Sequence, residues 1–287
     1  MSDEGQAPCS AVCGGLLAAA AVMLASAGAL VSARVQAGTL PPEAHSTALG
    51  ELHSVVLENC ASVTLNTSTS LRATRAPDSC EIWLERGEAL FSVPTEDTWP
   101  LRVVAGEIVA MPEAGAFSVR IRADGVVEVM VKKGRVGLEP GPRGTSHAIP
   151  VAAAGTTPAA DLDHPPARRR ILSANQLGRV TPNGITLQEL TAAEATRRLE
   201  WTNGRLSFRG QTLAEAAEEF NRYHASQLMI ADVSLGSVAI GGDFVITEVD
   251  SFVAALRRLG IDAVTDREPT GTEGRVIRLV PARERPR

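Results

Sequence analysis

The sequence predicts a mainly β protein: a twisted β-solenoid-like or sandwich domain, then a C-terminal α+β domain of two βαβ units, behind an N-terminal transmembrane helix. Three observations carry that class. Between residues 50 and 140, short runs of alternating apolar and polar residues recur with glycine or turn residues between them, as in a protein built of many short strands. After Trp201 the hydrophobic period switches between two and about 3.6, twice over. Near the start, residues 11–33 form a 23-residue stretch without a charge. As a helix that stretch spans roughly 34 Å, enough for the hydrocarbon core of a bilayer.

Taken in order, residues 1–10 read as a short cytoplasmic tail, 11–33 as the membrane helix and 34–49 as a linker. Two other readings of 11–33 stay open, a buried core helix and a cleaved signal peptide with Val35-Gln36-Ala37 as an A-x-A-like site. Residues 1–10 contain no Lys or Arg, so the basic region of a signal peptide is missing. The nearest basic residue, Arg34, lies beyond the stretch and by itself favours the opposite orientation.

The β domain is expected over 50–140. Val63 to Thr67 and Leu71 to Ala73 open it. Glu81 to Leu84 and Glu88 to Val93 follow as two strands separated by Arg86-Gly87. Glu85 and Glu88 would frame that turn as solvated carboxylates. Leu101 to Val104 and Glu107 to Ala110 flank Ala105-Gly106. Phe117 to Ile121 and Val126 to Val131 enclose Ala123-Asp124-Gly125, a hairpin signal in which Asp-Gly suits the two positive-φ positions of a type I′ turn.

Residues 141–170 hold five prolines and three glycines and end in Arg168-Arg169-Arg170, a Pro/Gly-rich linker with a solvated basic run. A connecting segment, 171–200, leads to the C-terminal domain at 201–281, followed by a tail at 282–287. In that domain Leu206 to Phe208 is a strand, and Thr212-Leu213-Ala214-Glu215 is a capping box. Leu213, Ala217, Phe220 and Tyr223 share one helical face. Gln227 to Ala231 and Val238 to Val245 are strands, and Thr247 is a weaker cap. Val249, Phe252, Val253, Leu256 and Leu259 make the second apolar stripe, with Gly260 as its stop. Ile261 to Val264 and Val276 to Val280 close the fold.

Composition excludes several functions. Net charge is −5 and aromatic residues are 3 %, so there is no global basic field to hold nucleic acid and stacking platforms are scarce. H-E-x-x-H, G-x-S-x-G and the phosphate-binding glycine loop are all missing, and the five histidines are scattered. His224 reads as a surface residue at a helix C-terminus, where an imidazolium suits the helix dipole. No catalytic, metal or cofactor residues are nominated, and an enzyme is not expected. Cys60 and Cys80 pair if this part of the chain faces an oxidising compartment, closing a loop of about 20 residues worth about 3 kcal/mol. Otherwise they are two half-buried thiols.

Four stretches together resemble the central domain of FecR-type sigma-factor regulators: Arg86 to Val93, Trp99 to Val103, Gly115 to Arg120 and Val127 to Val136. Val63 to Thr67 fits that domain's opening strands. Glu200 to Phe208 and the helix ending Phe220-Asn221-Arg222-Tyr223 resemble the family's C-terminal domain, itself similar to the short N-terminal domains of secretins and TonB-dependent transducers. The resemblance runs from about Gly50 to Leu279. It implies a single-pass inner-membrane protein with its bulk in the periplasm. Such a protein relays a signal from the signalling domain of an outer-membrane, TonB-dependent transducer, usually one carrying an iron chelate, toward an extracytoplasmic-function sigma factor. The family's helical sigma-binding domain would precede the span, but only about ten residues do, so the sigma factor would be reached indirectly. The 141–170 linker is also longer than the family pattern. A cell-envelope scaffold or assembly protein without sigma control is the alternative. Partner docking is expected by strand addition or on a helix face of the C-terminal domain, with Ile277, Arg278 and Leu279 as the candidate edge strand.

Overall fold

A computed structural model of the chain describes residues 42–96, 99–141, 169–266 and 275–282, all within one compact unit, Leu40–Arg287. The expected membrane helix at 11–33 and most of the 141–170 linker lie outside the described residues. Among the described residues no helix is long and apolar enough to cross a membrane.

The first part of the fold is an 11-stranded sheet. β1 (Glu43–Ser46) runs antiparallel to β4 (Ser70–Ala76), and β2 (His53–Leu57) pairs with β3 (Ala61–Leu65). β5 (Ser79–Val93), β6 (Leu101–Ala105), β7 (Ile108–Ile121) and β8 (Val127–Pro140) follow. β5 lies parallel to β6 through Cys80–Leu84 and antiparallel to β7 through Gly87–Val93, while β6 also pairs with β7. The three strands therefore close on one another, and the sheet folds over a core that holds Leu65, Leu71, Ile82 and Leu138. Phe91 and Phe117, register partners on β5 and β7, stack there with centroids 5.0 Å apart.

The two strands expected on either side of Arg86-Gly87 are one 15-residue strand. The register slips opposite Ser70 and Leu71, and Gly87 sits at φ 86°. A Cβ on Gly87 would lie 2.6 Å from the Cα of Thr69, so the strand bends where only glycine fits. The β7–β8 hairpin is present, but its turn is not type I′. Of its residues only Gly125 has positive φ, the Gly125 amide donates to the Arg122 carbonyl, and the Arg122 amide donates to the Val126 carbonyl. This is a three-residue loop with a left-handed glycine.

The sheet is longer at both ends than the sequence suggests. β1 falls in the expected 34–49 linker. Residues expected as a connecting segment form β9 (Arg170–Ser173), β10 (Gln176–Thr181) and β11 (Gly184–Glu189). β9 and β10 add to the two halves of β8, and β11 is an almost wholly exposed edge whose polar composition hides it from an apolar-periodicity reading.

The C-terminal part begins with α1 (Ala192–Arg197) and a 3-10 turn (Glu200–Asn203). β12 (Arg205–Thr212), α2 (Leu213–Asn221), β13 (Gln227–Ile230), β14 (Ala239–Val245), α3 (Val249–Leu256), β15 (Ile261–Asp266) and β16 (Val276–Pro281) follow. Two strand–helix–strand units are present, but each helix carries the chain from one sheet to another. β12 pairs with β14, while β13 and β15 flank β16. Between the sheets Phe220 of α2 stacks on Phe252 of α3 at 4.2 Å, with Phe208 and Phe244 around them. The Thr212–Glu215 capping box starts α2, with the Thr212 hydroxyl accepting from the Glu215 amide and the Glu215 carboxylate accepting from the Thr212 amide. α3 starts after Glu248, with no side-chain cap, so Thr247 does not serve as one. Leu259 leaves the buried stripe because the last turn tightens to 3-10 over Arg257–Leu259, which rotates it outward, before Gly260 ends the helix at φ 74°.

Candidate functional site: a charge ladder between two domains

On the face of the large sheet turned to the C-terminal part, four register partners on successive strands alternate in charge. Glu88 on β5 stands opposite Arg120 on β7, Arg120 opposite Glu128 on β8, and Glu128 opposite Arg179 on β10. Glu88 and Glu128 are each only 6 % exposed. The expectation that Glu88 is a solvated turn residue is thus overturned: it lies within a continuous strand and beneath a second domain.

That second domain supplies the opposing charges from the end of α2. Arg222, the residue that caps α2, extends Nη2 to within 2.7 Å of Oε2 of Glu88, and its Nη1 lies 2.5 Å from Oε1 of Glu219. Glu219 Oε2 in turn lies 2.9 Å from Nη1 of Arg120. One turn back, Glu218 pairs with Arg122 at 2.6 Å. Asn66, 0 % exposed, donates from Nδ2 to both Glu88 Oε2 (3.0 Å) and the Tyr223 hydroxyl (2.9 Å). The Thr67 hydroxyl donates to the Arg222 carbonyl at 3.2 Å, one of the carbonyls left open at the helix end. Leu52 and Leu90 of the β part pack onto the C-terminal core beside this network.

Buried charges persist where each has a partner and its remaining hydrogen-bond positions are filled. Burial works against ionisation of Glu219, but the guanidiniums of Arg222 and Arg120 outweigh it and hold its carboxyl at about 2. Burial likewise opposes the charge on Arg222, yet Glu219 and Glu88 hold its pKa above the usual arginine range. The Tyr223 hydroxyl is pushed up by burial and by the nearby carboxylates. Glu219 and Arg222 therefore stay charged through ordinary pH, and the network ties α2 to the face of the large sheet.

The sequence-nominated residues fall elsewhere. Cys60 and Cys80 form a disulfide, with Cα atoms 6.0 Å apart, tying the residue before β3 to the start of β5. Ile277, Arg278 and Leu279 lie on β16, the central strand of its sheet, with β13 on one side and β15 on the other, so strand addition has no free edge there. Ile277 and Leu279 point into the core. His224 is not a charged surface cap: it stacks on Phe220, and burial lowers its pKa, with the Ile246 backbone bond opposing. The ladder was missed because its members lie far apart in sequence. One signal was available. Val126 to Val131 is a near-continuous apolar run, the pattern of a strand covered on both faces, and Glu128 interrupts it.

Comparison with known proteins adds to this geometry. The family model described as FecR protein matches residues 43–137, which span β1 to most of β8. No curated protein matches the chain. Two crystal structures, each of a "putative anti-sigma factor" from Parabacteroides distasonis ATCC 8503, share the fold. One has a TM-score of 0.59 at 20 % identity, covering 85 % of this chain and 100 % of its own. The other has 0.58 at 19 %, covering 84 % and 100 %. That coverage exceeds the FecR segment, so the C-terminal part is shared as well. Residues 43–137 thus match the FecR family model, and beyond them the likeness to the two crystal structures is one of fold.

Proposed function

We propose that the chain is a membrane-anchored periplasmic signal-transduction protein that works by binding and not by catalysis, passing a signal from an outer-membrane, TonB-dependent transducer toward an extracytoplasmic-function sigma factor. The observation that most supports this reading is the buried clamp between the FecR domain and the C-terminal domain. A displacement of α2 moves Glu219 and Arg222, and through them Arg120 and Glu88, so the two domains move as one lever. In this reading residues 11–33 are the anchor and the bulk lies in the periplasm, where the Cys60–Cys80 disulfide suits an oxidising compartment. The transducer's signalling domain docks on the C-terminal domain. Its edge strands include β13 and β15, the two sides of the three-stranded sheet, where Met229 and Val264 are exposed. Iron-uptake regulation follows where the transducer's cargo is an iron chelate.

Alkaline phosphatase fused after Arg287 tests the topology: activity in intact cells is expected, and an inactive fusion that is nevertheless stably expressed overturns it. Purified signalling domains of the TonB-dependent transducers from the same cell test the relay against the full-length chain. One of them should bind, and binding by none overturns the transducer as the partner.

A further inference from the structure

Between the β11 edge, α1, β12 and α2 the two domains enclose a cleft of about 520 Å³, within the range of small-molecule sites. Its apolar lining includes Met130, Leu177 and Leu190, which form one small buried cluster with α1, and Trp201 on the 3-10 turn. Six arginines and seven carboxylates also line it, so formal charge alone does not select a ligand. What selects is which groups already have partners.

Every carboxylate is engaged. Glu88, Glu128, Glu218 and Glu219 are in ion pairs, Glu194 and Glu215 close capping boxes, and Asp124 accepts from the Val126 amide. Three arginines, Arg120, Arg122 and Arg179, answer those carboxylates. The other three, Arg197, Arg198 and Arg205, form no salt bridge among the described residues and line the cleft from the C-terminal part, two at the end of α1 and one at the start of β12. Two buried donors of lining residues, Trp201 Nε1 and Arg197 Nε, have no acceptor among the described residues, and Trp201 is only 2 % exposed. A buried donor without an acceptor costs about 1–3 kcal/mol. Among the charged side chains and the fully buried polar atoms of the lining, those without a partner are thus all donors, beside an apolar floor.

We propose that this cleft binds a small organic anion, a carboxylate or phosphate on an apolar body, through Arg197, Arg198, Arg205 and the Trp201 indole, with its apolar part on Met130, Leu177 and Leu190. This goes beyond the signalling reading, and either can fail without the other.

The chain has three tryptophans, so the full-length protein labelled with 15N-tryptophan gives three indole signals. Benzoate, phenyl phosphate and the uncharged benzyl alcohol are the probes. Either anion is expected to shift the Trp201 signal saturably while the Trp83 and Trp99 signals stay still, and the stronger of the two says whether carboxylate or phosphate is preferred. The exposed double variant Arg198→Ala/Arg205→Ala should weaken that binding by about tenfold or more. Single Arg198→Gln, read the same way, serves if the double variant does not fold. No saturable shift up to about 10 mM of either anion, an equal shift with benzyl alcohol, or unchanged affinity in the variants overturns the proposal.

Discussion

Arg222 and Glu88 meet at 2.7 Å although they lie 134 positions apart in the chain, and the contact joins the end of a helix in one domain to the middle of a strand in another. Removing one partner of a buried pair leaves an uncompensated charge, which costs about 3–5 kcal/mol. Arg222→Ala abandons two carboxylates, Glu88 and Glu219, and should reach the upper part of that range in urea unfolding. Arg222→Lys keeps the charge but cannot fork between both acceptors, so it should recover only part of the loss. The double change Glu88→Leu/Arg222→Met removes both charges and should cost less than Arg222→Ala. A double variant as unstable as the single one would show that the pair itself, and not the orphaned charge, is what matters.

The same network sets a pH window. Glu219 has its folded-state pKa lowered from 4.5 to about 2, so its contribution to stability is fully present above about 4.5 and is lost as pH falls toward about 2. Acid titration of unfolding stability should show a steep loss across that interval. Glu219→Gln should flatten it, at the cost of lower stability near neutrality because Arg120 and Arg222 lose a partner. An unchanged acid limb in Glu219→Gln would mean that other carboxylates dominate.

Much of this fold was legible locally and little of the site was. The capping box at Thr212, the apolar faces of α2 and α3 and the β7–β8 hairpin depend on residues a few positions apart, and the sequence shows them. Arg86-Gly87 has the composition of a turn, yet it bends one strand, because the decisive neighbour is Thr69 on another strand. β16 reads as a terminal edge, yet it sits between β13 and β15, because chain order says nothing of a parallel pairing with β13. Glu88, Arg120, Glu128 and Arg179 become a ladder only once the registers of four strands are fixed. Each member alone looks like an ordinary polar residue on a strand face.

The disulfide offers a further test. Cys60 and Cys80 are 20 positions apart, and cross-linking a loop of that size should stabilise by about 3 kcal/mol in the chain-entropy picture. Cys60→Ala/Cys80→Ala should therefore lower stability by about 2–4 kcal/mol, with the loss expressed in the β domain because both residues belong to its core. Reductant should destabilise the parent chain by a similar amount and leave the double variant unmoved. Equal sensitivity of the two to reductant would show that the thiols are not paired.

The two long C-terminal helices differ at their starts, and that difference can be measured. Thr212 accepts from the Glu215 amide and Glu215 accepts back from the Thr212 amide, so Thr212→Ala removes one cap and loosens the other. A loss of about 1 kcal/mol is expected, with about 0.5–2 as the usual range. Thr247 precedes α3 in a similar position but is exposed, and α3 begins after Glu248 without a side-chain cap. Thr247→Ala should change stability by less than about 0.5 kcal/mol. Because α2 also carries Glu218, Glu219 and Arg222 to the β domain, fraying its first turn should weaken the clamp as well as the helix. The loss in Thr212→Ala should therefore shrink in an Arg222→Ala background, where the clamp is already broken. Strict additivity of the two changes would mean that the start of α2 and its docking end are energetically independent.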